Sequence, residues 1–522
     1  MNDSFRRITA IVRADFLLRF RRPSTLIVFL LLSAFAYVWV PDPATGRALL
    51  QINGQRAIYN SAALGMATAS VGMIFVGLFG FYVISNAIRR DVVTRCGLVV
   101  ASTSMRSTEY LAGKFLGNVS FLFTFLGGFM LSSMVMLLVR GEARLEPLVF
   151  IQQYLLLTPP AIVFVSAVAV LFESIPWLSG KLGDVLYFFL WMAMLGIVIS
   201  QEATGSLSWG RYFDVSGFGF MIDRMQTTLH TESIAIGASS FDPAKAPMVF
   251  NGLTLSPEWI VPRIGSILWP IALLPLAAFF FHRFDPVRTK QTSDKARRNW
   301  IGRFQMLLKP LSRRIVRLLM WPTRGHSLGS AIWIDAVLTL TLFPLALVAL
   351  VGCAIATVAL EQPQSVLPVV FLTLAIVVSD VVTRDRRGAT LPIIYVSPRL
   401  RENLVWWKLG STCVLALTFC AAPLAMAVSA GGLRFGALFV GIIFVAATAT
   451  ALGVITGNPK TFIVAFLSFW YVVVNERGAS PLLDFAGFYG TATTQTVLLY
   501  AMISVIAIVA AHVAHRWRLA QS

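Results

Sequence analysis

Charge is what this chain has least of. Asp, Glu, Lys and Arg together make up 13% of its 522 residues, about half the share found in soluble globular proteins. So few polar side chains cannot coat a soluble particle of this length, which excludes the soluble classes. Acidic residues are the scarcer sign, 24 against 43 Lys and Arg, and the net charge is +19. Cysteine is nearly absent. Cys353, Cys413 and Cys420 lie in apolar runs and Cys96 in a basic loop, so the spacing gives neither a disulfide framework nor a metal site. Of five histidines, only His512 and His515 stand close in sequence, at the end of an apolar run, where interfacial anchoring fits better than a metal pair. There is no Gly-x-x-x-x-Gly-Lys-Ser/Thr loop, no His-Glu-x-x-His helix and no Gly-x-Ser-x-Gly elbow. The chain is therefore expected to have no catalytic residues, no metal and no nucleotide site of its own. Carboxylates are also missing from the middle of the apolar runs: Glu173, Asp184, Asp335 and Asp380 fall near run ends. A charge in mid-membrane is expensive and usually functional, so coupling energy is expected to enter from outside the membrane layer.

What is abundant is apolar, 57% of all residues. A spanning helix needs about 20 apolar residues. The expectation is an all-α integral membrane protein with about twelve transmembrane helices, at 24–41, 62–85, 116–139, 150–172, 183–201, 259–281, 334–359, 366–382, 409–430, 434–456, 460–475 and 494–514. The long basic stretch before 24–41 favours a retained first span over a cleaved signal. With both termini inside, 33 of the 43 Lys and Arg fall on the inner side, the asymmetry that orients membrane proteins. Most of the +19 is thus a topology signal and calls for no nucleic acid partner.

Two stretches repeat. Asp91-Val92-Val93-Thr94-Arg95 follows the second run, and Asp380-Val381-Val382-Thr383-Arg384 follows the eighth. Each is followed by a glycine, a mixed helical stretch, a Glu and a Lys: Gly97, Glu109 and Lys114, then Gly388, Glu402 and Lys408. This pattern predicts two parallel six-helix repeats. The division is 1–23 as an amphipathic connecting helix, 24–281 as the first six-span unit with an outer segment at 202–258, 282–330 as a basic cytoplasmic linker, and 331–522 as the second unit. Within the linker, Trp300 to Leu319 interleaves apolar and basic residues, which predicts a helix lying on the inner leaflet. The inner loops 86–115 and 383–408 are too long and too patterned for simple turns. They read as surfaces on which a partner engine could push.

At these loops the sequence resembles the permease subunit of type-2 ATP-binding-cassette exporters. Arg90, Asp91, Gly97, Glu109, Gly113 and Lys114 carry the likeness in the first half, where Arg95 joins them as a candidate docking residue. Arg384, Asp385, Gly388, Ala389, Thr390, Pro398, Glu402 and Lys408 carry it in the second. The N-terminal stretch with Arg13 and Asp15 resembles that family's connecting helix, and Asp335 stands at the matching place in the second half. The chain departs from the pattern at Ser104-Met105, where the family often has proline, and at Trp407, where it often has glycine. The resemblance implies two separate ATPase subunits docked on the inner loops, with ATP and magnesium held by those partners and no cofactor in this chain. It implies a bacterial inner membrane, cytoplasmic termini, and a substrate path lined by residues such as Trp191, Met192, Trp470 and Tyr471. The competing reading is a proton-coupled secondary transporter of the major facilitator type, which shares the six-plus-six plan and a fragment like Asp385-Arg386-Arg387-Gly388. A membrane enzyme would want clustered acids or histidines. Asp214, Asp223, His230, Glu232 and Asp242 are too loosely spaced for that.

Overall fold

In the computed structural model, the described residues are 3–521 apart from 22, 204–209, 231–232, 242–243, 283, 285–326, 343, 361 and 389. The chain divides into two compact units, Met1–Ser293 and Asp294–Ser522. The division falls inside the segment read as a linker, whose expected helix from Trp300 to Leu319 lies outside the described residues. Ala389, Glu232 and Asp242 lie outside them too.

Among the described residues, five helices are long and apolar enough to cross a membrane: Ser61–Val93, Ser107–Arg140, Pro257–Phe280, Gly432–Thr456 and Thr494–Gln521. Four bent helix pairs meet the same standard when each pair is taken as one path. Helices Lys181–Ala203, Pro363–Val378 and Pro459–Glu476 occupy the other positions at which apolar runs were read.

Four of the apolar paths are bent. The run 334–359 is two helices, Leu328–Leu342 and Pro344–Leu360, meeting at 93°. Proline has no N–H to donate and disfavours a helical residue before it, so Pro344 starts a new helix. Asp335 therefore sits on the first of these two helices, an entry helix ahead of the bend. The first unit opens the same way, with Asp3–Phe20 turned 73° from the helix that follows Pro23. Two further runs break at prolines. Helices Pro147–Leu157 and Pro159–Ser174 meet at 43°. Helix Leu404–Phe419 stops at the residue whose carbonyl the Pro423 ring would strike, and the next helix leaves at 63°.

The first unit also contains a sheet that the all-helical expectation lacked. Strands β1 (Arg47–Ile52), β2 (Gln55–Arg56) and β3 (Ile234–Ser240) lie in the order β2-β1-β3, all antiparallel. Asn53 and Gly54 join β1 to β2 with positive φ angles of 52° and 75°, the backbone that a two-residue hairpin turn requires. Leu49, Leu50 and Ile52 are buried, so the sheet caps one end of the unit.

The core of the first unit surrounds helix Ser61–Phe75, nearly every residue of which is buried, and helix Pro159–Ser174. At Val76–Gly80 the first of these continues as a π turn. There the Trp191 ring occupies the space a side chain on Gly77 would need, and the Tyr187 hydroxyl donates to the Gly77 carbonyl. In the second unit the core gathers around helices Pro363–Val378 and Gly432–Thr456.

Candidate functional site

Each unit buries a cluster of opposite charges where its entry helix meets the loop after the next long helix. In the first unit the centre is Asp15, 2% exposed. The helical spacing of four residues brings Arg19 to it at 2.6 Å. Arg90, from the short loop helix Ala87–Val93, pairs with the same carboxylate. Lys114, from helix Ser107–Arg140, reaches Asp15 at 3.0 Å and Asp91 at 2.8 Å. The Tyr110 hydroxyl donates to Asp91 at 2.7 Å, and Arg19 donates to the Asn118 side-chain oxygen at 2.7 Å. Burial pulls the Asp15 carboxyl up, but Arg19, Lys114 and Arg90 outweigh it and hold the group below its ordinary value.

In the second unit the centre is Asp335, 3% exposed. Arg384 pairs with it and donates to Thr339 at 3.1 Å. Lys408, 1% exposed, lies 3.1 Å from Asp335 and 2.5 Å from Asp385. Lys408 also stands 4.0 Å from the Trp407 ring. The two clusters share one plan. An entry-helix aspartate takes an arginine from the loop and a lysine from the following helix, and that lysine also holds the aspartate next to the arginine. They differ at the fourth residue after the aspartate. Arg19 adds a cation in the first unit where Thr339 stands in the second.

The entry helices can come this close because the facing positions are small. Ile11 packs where a side chain on Gly113 would lie, with carbons 2.9 Å from that point. Ile332 packs in the same manner on Gly410, and Ser411 and the Trp407 indole donate to carbonyls of the second entry helix. Small residues at helix crossings let backbones approach within a membrane.

The loop helices are held at their bases and bare at their tips. Glu173 accepts from the backbone N–H groups of Ala87 and Ile88 and so caps the first turn of Ala87–Val93. Gly97 sits early in helix Cys96–Ser102, with the Phe284 ring against it. It is a packing position within a helix. Beyond it Leu98 and Val99 are 47% and 67% exposed. In the second unit Ile393, within helix Leu391–Tyr395, and Val396, at its C-terminal end, are 72% and 81% exposed.

The remaining sequence candidates are scattered. Arg13 and Arg95 are exposed and outside the cluster. Glu109 is engaged in closing the first turn of its helix, accepting from the Arg106 backbone and from Ser4 of the entry helix. Glu402 ends helix Pro398–Glu402 and is exposed. Gly388 closes helix Arg384–Arg387. Trp191 is fully buried within the first unit and presents no surface to a path. Met192 packs partly on the same core. Trp470 donates its indole N–H to the Pro368 carbonyl at 2.9 Å, and Tyr471 follows it half-buried. His515 meets the Arg401 carbonyl at 2.8 Å, and the His512 ring lies tilted against Trp406, 4.8 Å between centroids. Among the described residues, no three His, Cys, Asp or Glu stand together as metal ligands would.

Sequence reasoning missed Arg19, Tyr110, Asn118 and Thr339, and saw Glu173 only as a carboxylate near a run end. Only Arg19 carried a signal, its spacing of four from Asp15. No family profile, no curated protein and no solved structure matches the chain.

Proposed function

We propose that this chain is the permease of an ATP-driven exporter, worked by separate ATPase subunits that dock on its inner loops. The observation that carries the reading is the pair of buried clusters. Asp15 with Arg90 and Lys114, and Asp335 with Arg384 and Lys408, each tie an entry helix, a loop helix and a long apolar helix together. A buried ion pair that loses one partner leaves an uncompensated charge, at a cost of about 3–5 kcal/mol. The three elements therefore move as one body. A push on the exposed tips at Leu98 and Val99, or at Ile393 and Val396, is passed to the apolar helix behind them.

In this reading the chain has twelve spans in two parallel sets of six, both termini face the cytoplasm, and the membrane is a bacterial inner membrane. ATP and magnesium belong to the partners. The absence of a phosphate-binding loop supports an external engine, and the scarcity of carboxylates within the apolar runs weighs against proton coupling. The test is purification of the full chain from its native membrane. The expected result is a bound P-loop ATPase and ATP-dependent transport by the reconstituted complex. Transport that proceeds without an ATPase and collapses with the proton gradient overturns the reading and favours the secondary transporter.

A further inference from the structure

The second unit holds a cavity of about 260 Å³ at the end of its helices opposite the charged cluster. It lies between the end of helix Pro344–Leu360, the start of Pro363–Val378, and the turn that joins Ala421–Ser429 to Gly432–Thr456. Leu367, Met426 and Leu438 give it apolar walls. Its polar lining is Thr357, Gln362, Ser429 and one cation, Arg434.

Arg434 is half-exposed at the cavity edge and makes no ion pair with any described carboxylate, unlike Arg19, Arg90 and Arg384 in the charged clusters. It also stands in the first turn of helix Gly432–Thr456, where the helix dipole opposes a positive charge. A guanidinium kept in an unfavourable field, at the edge of an apolar cavity, has a use for an anion. A cavity of about 150 Å³ admits a benzene ring, so this one has room for a small head group and the first few carbons of a chain. Next in sequence to its lining residues, Val358, Val428 and Leu433 are 65%, 66% and 51% exposed, apolar surface open to a longer tail.

We propose that this cavity binds the head of an anionic amphiphile, a carboxylate or phosphate monoester held by Arg434 with its acyl chain on the apolar walls and rim. The site lies within one unit and does not depend on the transport reading.

The experiment uses the full chain in phosphatidylcholine nanodiscs and a photoactivatable fatty acid, with labelled peptides mapped after irradiation. Labelling is expected within 423–438. Oleate and a lysophosphatidic acid compete, which covers the two head-group sources, whereas oleyl alcohol and inorganic phosphate do not. Arg434→Gln lowers labelling at least tenfold, and Arg434→Lys retains most of it. Ala430→Phe, which narrows the cavity from its rim without touching the charge, also blocks labelling. Both variants are checked for an unchanged gel-filtration profile. Labelling elsewhere in the chain, equal competition by the alcohol or by inorganic phosphate, or indifference to Arg434→Gln and Ala430→Phe overturns the proposal.

Discussion

Lys408→Met is the sharpest perturbation of the second cluster. Methionine keeps most of the side chain's length and removes only the charge. Lys408 is 1% exposed and serves two carboxylates, Asp335 at 3.1 Å and Asp385 at 2.5 Å. Without it Asp335 retains Arg384, and Asp385 loses its ammonium partner. Two acids then share one base. Breaking a buried pair in this way costs about 3–5 kcal/mol. In a unit the size of Asp294–Ser522, each kcal/mol is worth about 2–4 °C, so unfolding should fall by roughly 6–20 °C. Tryptophan fluorescence during a thermal scan reads it, because Trp407 lies 4.0 Å from the ammonium. The matching change in the first unit, Lys114→Met, should cost less. There Asp15 keeps Arg19 at 2.6 Å as well as Arg90, and Asp91 keeps the Tyr110 hydroxyl at 2.7 Å. The loss is one set of charged hydrogen bonds, about 1.5–3 kcal/mol. Adding Asp385→Asn to Lys408→Met should recover part of the loss, with a coupling of about 0.5–3 kcal/mol. A thermal shift within error for Lys408→Met, or a larger one for Lys114→Met, refutes the reasoning.

Three further outcomes are expected. Gly77→Val places a side chain where the Trp191 ring lies and should destabilise the first unit by about 1–3 kcal/mol, whereas Gly127→Ala, with open space around it, should not; denaturant titration separates them. The Asp15 carboxyl is held below its ordinary value of 3.8, so its contribution to stability is full above that value and is lost as pH falls through the depressed one. Acid proteolysis of residues 3–20 should accelerate in that window, and Asp15→Asn should remove the pH dependence. Val99→Asp and Ile393→Asp change only exposed loop tips, so each should leave thermal unfolding unchanged and lower recovery of the ATPase in co-purification.

The sequence showed the ingredients of the clusters better than their register. Asp15, Arg90, Asp91, Lys114, Asp335, Arg384, Asp385 and Lys408 were all singled out from the chain alone, because charges are rare enough here to be conspicuous. The identity of Asp91–Arg95 with Asp380–Arg384 is nevertheless out of step with the clusters. It sets Arg384 against Arg95, which is exposed, whereas Arg90 makes the pair with the entry-helix aspartate. Likewise Asp91 pairs with Lys114 while Asp380 pairs with Arg387. Local identity carries no information about which face of a helix meets a distant aspartate. The sheet was unreadable for a related reason: β3 meets β1 across nearly two hundred residues, and strands of six and seven residues are faint beside long apolar runs. The bend at Pro344 is legible in the sequence, since proline inside a periodic run marks a boundary. Trp191 looked exposed to a path only because its partner, Gly77 on a π turn, lies more than a hundred residues away.

The central claim is that an ATPase pushes on the loop tips. It is tested most directly by placing cysteines at the tips, Val99→Cys and Ile393→Cys, and cross-linking the complex in native membranes with a short bifunctional reagent. The account predicts that both positions join to a P-loop ATPase, and that cross-linking stops ATP-driven transport. Tips that capture no ATPase, in a chain that still transports when ATP is depleted, would contradict it.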